Sequence, residues 1–218
     1  ILEFVGRRFS LTFIDPTGWT GFALDKIAPI LQHRPGEVLI NYMTDYMNRF
    51  SDLPELAQQF NAMMGGPGFE GLDEIRKMEF YCERVREAGG FEHVTSTRIK
   101  KPESDRTYFH LIYGTRHVKG LQEFRQVEER EIAEQERVTI EARALDRVFG
   151  TPGQQALFGS DELAVPSLFA QDLRDQKRKA ADRFDKLLDA RRRVSYDDVL
   201  RSLLELPLVW EKQAVRQI

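Results

Sequence analysis

The sequence predicts an α/β fold: parallel strands joined through a helix, then an antiparallel hairpin, then a helical C-terminal part. Three observations carry this. The apolar runs Phe9 to Ile14 and Glu37 to Met43 are strand-length, and one helix-length stretch separates them. The runs Phe91 to Ile99 and Thr107 to Tyr113 are joined only by Lys100-Lys-Pro-Glu-Ser-Asp105, a connection short enough to require an antiparallel pair. Beyond residue 128 the strand signals give way to charged helical sequence.

Taken in order, the first strand stops at Asp15-Pro16. Proline has no N–H and pushes the residue before it toward extended geometry, and Gly18 then allows a tight turn. Thr20 is placed to cap a helix from about Gly21 to Gln32, which Pro29 should kink or shorten. Arg34-Pro35-Gly36 is turn chemistry. The next strand ends on Asn41 much as the first ends on Asp15. Strand, crossover helix, strand is a right-handed parallel unit in nearly all known cases, so Asp15 and Asn41 should lie side by side at one rim of the sheet.

Residues 44–50 read as a short helix, and Ser51 to Glu55 as a helix start with proline in the first turn. Gly65-Gly66-Pro67-Gly68 is a turned loop. Leu72, Ile75, Met78, Cys82 and Val85 recur at helical spacing with Gly89-Gly90 as the stop, so Cys82 belongs to core packing. The run Thr107 to Tyr113 is almost wholly apolar or aromatic and should be central in the sheet. The charged segment 128–147 reads as a solvated helix. Gly150-Thr151-Pro152-Gly153 is a linker signal, Ser167 to Ala190 is helical, and Ser195 with Asp198 matches a capping box for another helix. Val209 to Arg216 starts one more, and two short helices around Leu206-Pro207 suggest a helix-turn-helix. The expected division is therefore a domain over 1–149, a linker over 150–166 and a helical region over 167–218.

The 218 residues are 41% hydrophobic and 31% charged with a net charge of -3, which excludes a globally basic nucleic-acid binder but not a local basic face. One cysteine excludes an intrachain disulfide and a cysteine-rich zinc site and points to a reducing, cytoplasmic setting. No apolar run is long enough to span a bilayer, so no membrane partner is expected. No metal-ligand spacing is present. The chain opens on Ile1 almost inside a strand, and an upstream part is expected.

Ligands of open α/β sheets bind beyond the carboxyl ends of strands, which is where Asp15 would point. Asp15 would orient a substrate amine or cap its own turn, and Trp19 would stack on a base or close the sheet end. Asn41, Asn48, Arg49 and His117 are the substrate-binding candidates. The alternatives are backbone bonding for Asn41 and pairing with Asp45 for Arg49. His110 reads as a hydrogen-bonded structural residue. Arg191, Arg192 and Arg193, with Lys212 and Arg216, could meet the phosphates of a nucleic acid.

The order of elements resembles the second half of a Rossmann-like methyltransferase domain, where an acid or amide, a proline and an aromatic serve the target amine, and this resemblance implies Asp15, Pro16 and Trp19 as the catalytic residues. Phe13-Ile-Asp-Pro-Thr-Gly-Trp19, Glu37-Val-Leu-Ile-Asn-Tyr-Met43, Asn48-Arg49-Phe50 and Leu111-Ile-Tyr-Gly-Thr-Arg-His117 with Gly120-Leu121 are similar to the three-Cys-motif partner proteins. These are bacterial proteins encoded beside a radical-SAM-type protein. The resemblance implies a Rossmann-like sheet, a winged-helix-like tail, S-adenosylmethionine as cofactor and a three-Cys-motif protein as a partner. The cofactor's main loop is expected upstream of Ile1, because no glycine loop in this chain follows a strand and opens a helix. The expected function is methyl transfer to an amine, such as that of a nucleobase. The alternative is a methyltransferase-like module that binds a partner protein or DNA without catalysis.

Overall fold

The computed structural model describes residues 2–16, 22–51, 53–101, 106–149, 168–190 and 193–209. Among the described residues the sheet has four strands, β1 (Ser10–Ile14), β2 (Gly36–Tyr42), β3 (His93–Lys100) and β4 (Thr107–Thr115), in the spatial order β1-β2-β4-β3. β1 and β2 are parallel, with Ile14 opposite Ile40. β4 runs antiparallel to both of its neighbours, with Asn41 opposite Leu111 and Thr97 opposite Leu111 on the other side. The near-continuous apolar sequence of β4 thus reflects a strand paired along both edges.

The helices are α1 (Leu2–Val5), α2 (Leu24–Leu31), α3 (Thr44–Phe50), α4 (Ala57–Met64), α5 (Glu74–Gly89), α6 (Val118–Phe149), α7 (Leu168–Ala190) and α8 (Tyr196–Leu204). α1 was not legible in the sequence. α2 starts at Leu24 with Ala23 as its N-cap, later than the expected start near Gly21. Thr20, the expected cap, lies outside the described residues. Pro29 remains inside this short helix, on an exposed position where its missing N–H costs one ladder bond. α5 ends as expected, with Gly90 in the left-handed conformation at φ 60°.

The chain divides into two compact units, Ile1–Lys100 with Arg106–Phe124, and Lys101–Asp105 with Arg125–Ile218. The division falls inside α6, not at residue 150, so this helix contributes its first turns to one unit and the remainder to the other. The expected linker at 150–166 and the expected last helix beyond Val209 lie outside the described residues, apart from Val209 itself.

In the first unit the even positions of β2, namely Val38, Ile40 and Tyr42, are buried, while the odd positions are only half-buried. The buried face joins Leu24, Ile27 and Leu31 of α2 and Tyr81, Cys82 and Val85 of α5 in one core. Burying each such aliphatic side chain contributes about 1.5–3 kcal/mol. The Cys82 thiol packs at 3.5 Å from Met78 Sδ, and burial pushes it up to about 12, so it is inert core as expected.

Arg116 follows β4 and closes one end of this unit. Its guanidinium donates to the carbonyls of Leu31 (2.8 Å), Gly36 (2.9 Å), Gly90 (3.2 Å), His33 (3.3 Å) and Gly89, and it lies 4.4 Å over the Phe91 ring. Several of these are the carbonyls left without partners where α2 and α5 end.

In the second unit, Ala180 of α7 packs with Val199 and Leu203 of α8 and with Val209. Ser195 caps α8, accepting from the Asp198 N–H at 3.1 Å, as the sequence predicts. The solvated reading of 128–147 fails at its first residue: Glu128 is buried and pairs at 2.7 Å with Arg125, itself buried one turn earlier. Arg125 also donates to the carbonyls of Leu204 (2.9 Å) and Glu205 (3.1 Å), while Glu128 accepts from the Leu208 N–H at 2.9 Å. The pair therefore satisfies the C-terminal end of α8.

Candidate functional site

The parallel register delivers the end of β1 beside the end of β2. Ile14 pairs with Ile40, so Asp15 and Asn41 come next on their strands. The Asn41 Nδ2 donates to Asp15 Oδ1 at 2.8 Å. An ionised carboxylate only accepts, so it fixes which end of the Asn41 amide faces it. The Asn41 Oδ1, shielded from solvent, has no hydrogen-bond partner among the described residues. Asp15 itself is exposed, and its Oδ2 carries no bond to the described residues.

A cleft of ≈ 290 Å³ opens at the same rim, where β2 hands over to α3 and β4 begins. Asn41 and Met43 line it from β2 and the turn after it. Tyr46, Phe50, Asp45 and Arg49 line it from α3, and Tyr108 and Phe109 from β4. The rings are close and tilted: Tyr46 and Phe50 have centroids 4.4 Å apart at 47°, and Tyr108 and Phe109 5.2 Å apart at 56°. Such a lining, half aromatic with a few convergent polar groups, suits a flat ligand that offers hydrogen-bond donors.

The other candidate residues divide. Arg49 lines the cleft and pairs with Asp45 at 3.9 Å, the alternative weighed for it from the sequence. Asn48 is not part of the lining. Its Nδ2 donates to Glu74 at 2.8 Å, and Glu74 in turn accepts from Thr107 Oγ1 at 2.5 Å, which ties α3, α5 and β4 together. His117 sits past the far end of β4, where Gly114 pairs with Val38 near the start of β2, at the opposite end of the sheet from Asn41. It therefore does not join the Asp15–Asn41 site. Pro16 is half-buried just beyond β1. Trp19, Arg191, Arg192, Lys212 and Arg216 lie outside the described residues, and Arg193 is exposed.

His110 is structural, as expected: its Nδ1 lies 2.8 Å from Thr44 Oγ1, and burial pulls the imidazole down to about 4. Tyr113 and Thr115 donate to the two oxygens of Glu37 at 2.7 and 2.8 Å, and burial with the Glu37 bond pushes the phenol well above its usual range. Among the described residues no group of His, Cys, Asp and Glu is placed to hold a metal ion.

Comparison with protein-family models, with curated proteins and with solved structures returned no match. The site therefore has to be judged on its own chemistry. The cofactor implied by the resemblance, S-adenosylmethionine, needs a backbone loop able to approach it closely. Gly65-Gly66-Pro67-Gly68 leaves α4 with φ of 77°, 131° and 110° at its glycines, so it follows a helix and not a strand. A Cβ at Gly65 would lie 2.6 Å from Leu24 Cδ2, so that glycine serves the packing of α4 against α2. This loop therefore does not fit the methyl donor.

Sequence reasoning missed the aromatic side of the cleft. Tyr108 and Phe109 look like strand residues of a sheet interior, yet they sit beyond the last paired residue of β2. The signal available was the place where the pairing runs out.

Proposed function

We propose that the first unit is the acceptor-binding side of a methyltransferase-like protein acting on the amino group of a nucleobase. The observation that carries this is the 2.8 Å bond between Asn41 and Asp15 at the carboxyl ends of two parallel strands, beside an aromatic cleft that Asn41 lines. An exposed carboxylate held from one side by an amide can accept an N–H of the target amine with its other oxygen. The strand order, with β4 inserted antiparallel between β2 and β3, supports the methyltransferase-like reading because a dehydrogenase sheet would be parallel there. The likeness to the three-Cys-motif partner proteins supports the same reading. S-adenosylmethionine would be the donor, held by residues other than those described, and a three-Cys-motif protein would be a partner of the chain.

The test is transfer of label from S-adenosylmethionine to nucleic acid. Asp15→Ala is expected to abolish labelling while leaving the circular dichroism spectrum unchanged. Undiminished labelling by that variant rejects the assignment.

One observation favours the second reading, a non-catalytic module that docks a partner protein. β1 is an edge strand, and Phe9 beside it with Leu11 and Phe13 on it stay 60%, 60% and 57% exposed. A bare edge beside exposed apolar side chains invites a further chain. Absence of any labelling by the unaltered protein, together with loss of partner binding on Leu11→Lys, would select this reading.

A further inference from the structure

We propose that the cleft beneath α3 binds a nucleoside monophosphate unit, with its base among the aromatic side chains and its phosphate on Arg49. This deepens the function proposed above by naming the substrate class, and rests on it only for the place of Asn41 at the shared rim.

Size comes first. At ≈ 290 Å³ the cleft lies at the lower limit of small-ligand pockets, which run from about 300 to 1,000 Å³, so it admits one ring system and not an extended cofactor. Chemistry narrows the choice. Tyr46, Phe50, Tyr108 and Phe109 offer faces and edges to a flat ring, the surfaces on which a base stacks. Asn41 adds a carboxamide whose oxygen has no partner among the described residues, a group suited to the donor edge of a base. A purely apolar ligand would leave that oxygen and the guanidinium without use.

Arg49 supplies the anionic requirement. Its side chain is 67% exposed and its contact with Asp45 is 3.9 Å, the length of a loose surface pair. A phosphate would exchange this for charge-assisted, bidentate hydrogen bonds, which are shorter and stronger. Asp45 is the competitor that the phosphate has to displace. The same chemistry is offered by a free nucleotide and by one nucleotide of a strand.

The experiment is titration calorimetry without any methyl donor, using CMP and AMP, their nucleosides, ribose 5-phosphate and a hexanucleotide. The nucleotide is expected to bind saturably and about tenfold more tightly than its nucleoside, the gain of one charge-assisted contact. Ribose 5-phosphate should show no measurable binding. Arg49→Ala should bring the nucleotide to the affinity of the nucleoside and leave the nucleoside unchanged, whereas Tyr108→Ala should weaken both by about tenfold. Both side chains are largely exposed, so neither variant threatens the fold. Tighter binding of the hexanucleotide supports the proposal and identifies a strand as the source, and equal affinity supports it with a free nucleotide. Failure of CMP and AMP to bind, binding of ribose 5-phosphate as tightly as CMP, or an equal loss for nucleoside and nucleotide on Arg49→Ala overturns it. Binding that persists where methyl transfer fails would reject the transferase and leave this site standing.

Discussion

Asn41 donates its amide hydrogen to Asp15 across two parallel strands, at 2.8 Å and 26 positions apart in sequence. The bond makes each side chain the positioning device of the other. Replacing Asn41 with aspartate would set two like charges at hydrogen-bond distance. Because Asp15 is exposed, solvent screens the repulsion, and the expected cost near neutral pH is about 1 kcal/mol. Urea denaturation should show the deficit of Asn41→Asp against the unaltered protein at pH 7. The deficit should shrink on acidification.

His110 predicts a pH dependence of stability. Its imidazole is held down to about 4 by burial, against 6.5 in the unfolded chain. Between those values the unfolded chain binds the extra proton and the folded one does not, so stability rises with pH across that window. The contribution is fully present above pH 6.5 and is lost progressively as the pH falls toward 4, by about 3 kcal/mol in total. His110→Gln should flatten that part of the urea-midpoint profile relative to the unaltered protein.

Arg116 bonds carbonyls from five residues at the ends of α2 and α5, in the turns beyond them and at the start of β2. Lysine keeps the charge but not the planar fork. Arg116→Lys should therefore destabilise the first unit by about 3 kcal/mol, the worth of one or two charge-assisted bonds. A urea midpoint as high as that of the unaltered protein would show the carbonyls to be satisfied in another way.

Arg125 and Glu128 predict a difference between single and double variants. Arg125→Met alone leaves a buried carboxylate without its cation, at a cost of about 3–5 kcal/mol. The double variant Arg125→Met, Glu128→Gln removes both charges and should lose less than the sum of the single losses. A double-mutant cycle by thermal denaturation measures the coupling.

Gly120 lets the first turn of α6 approach the Glu37 cluster. A Cβ there would lie 2.5 Å from Glu37 Oε1 and 2.7 Å from both Thr115 Oγ1 and the Tyr113 hydroxyl. Gly120→Ala should cost about 1–3 kcal/mol by overpacking, despite alanine's better helix propensity. Loss of the tight Tyr113–Phe124 stacking, now 4.7 Å with the rings 5° apart, should register in near-ultraviolet circular dichroism.

The α/β pattern was legible because short connections leave few topologies. Six residues between two strands force a hairpin, and a helix-length gap forces a parallel crossover. The meeting of Asp15 and Asn41 followed from that crossover alone. Contacts made by long polar side chains were not legible. Asn48 is taken up by Glu74, 26 positions away, and periodicity carries no trace of it. His117 lies at the wrong end of the sheet because β4 runs opposite to β2. Arg125 and Glu128 look like one more exposed pair in a charged helix, since a helical pattern cannot say which charged face another helix will cover.

The strand made last is the one that lies in the middle. β4 separates β2 from β3, yet it leaves the ribosome after both, so during synthesis β2 waits with one bare edge while the whole of α3 to α5 is produced. At roughly 5–20 residues per second that wait lasts several seconds. Nascent chains halted before β4 has emerged would expose the edges of β2 and β3 to whatever else is folding nearby, and those halted after it has emerged would have hidden them.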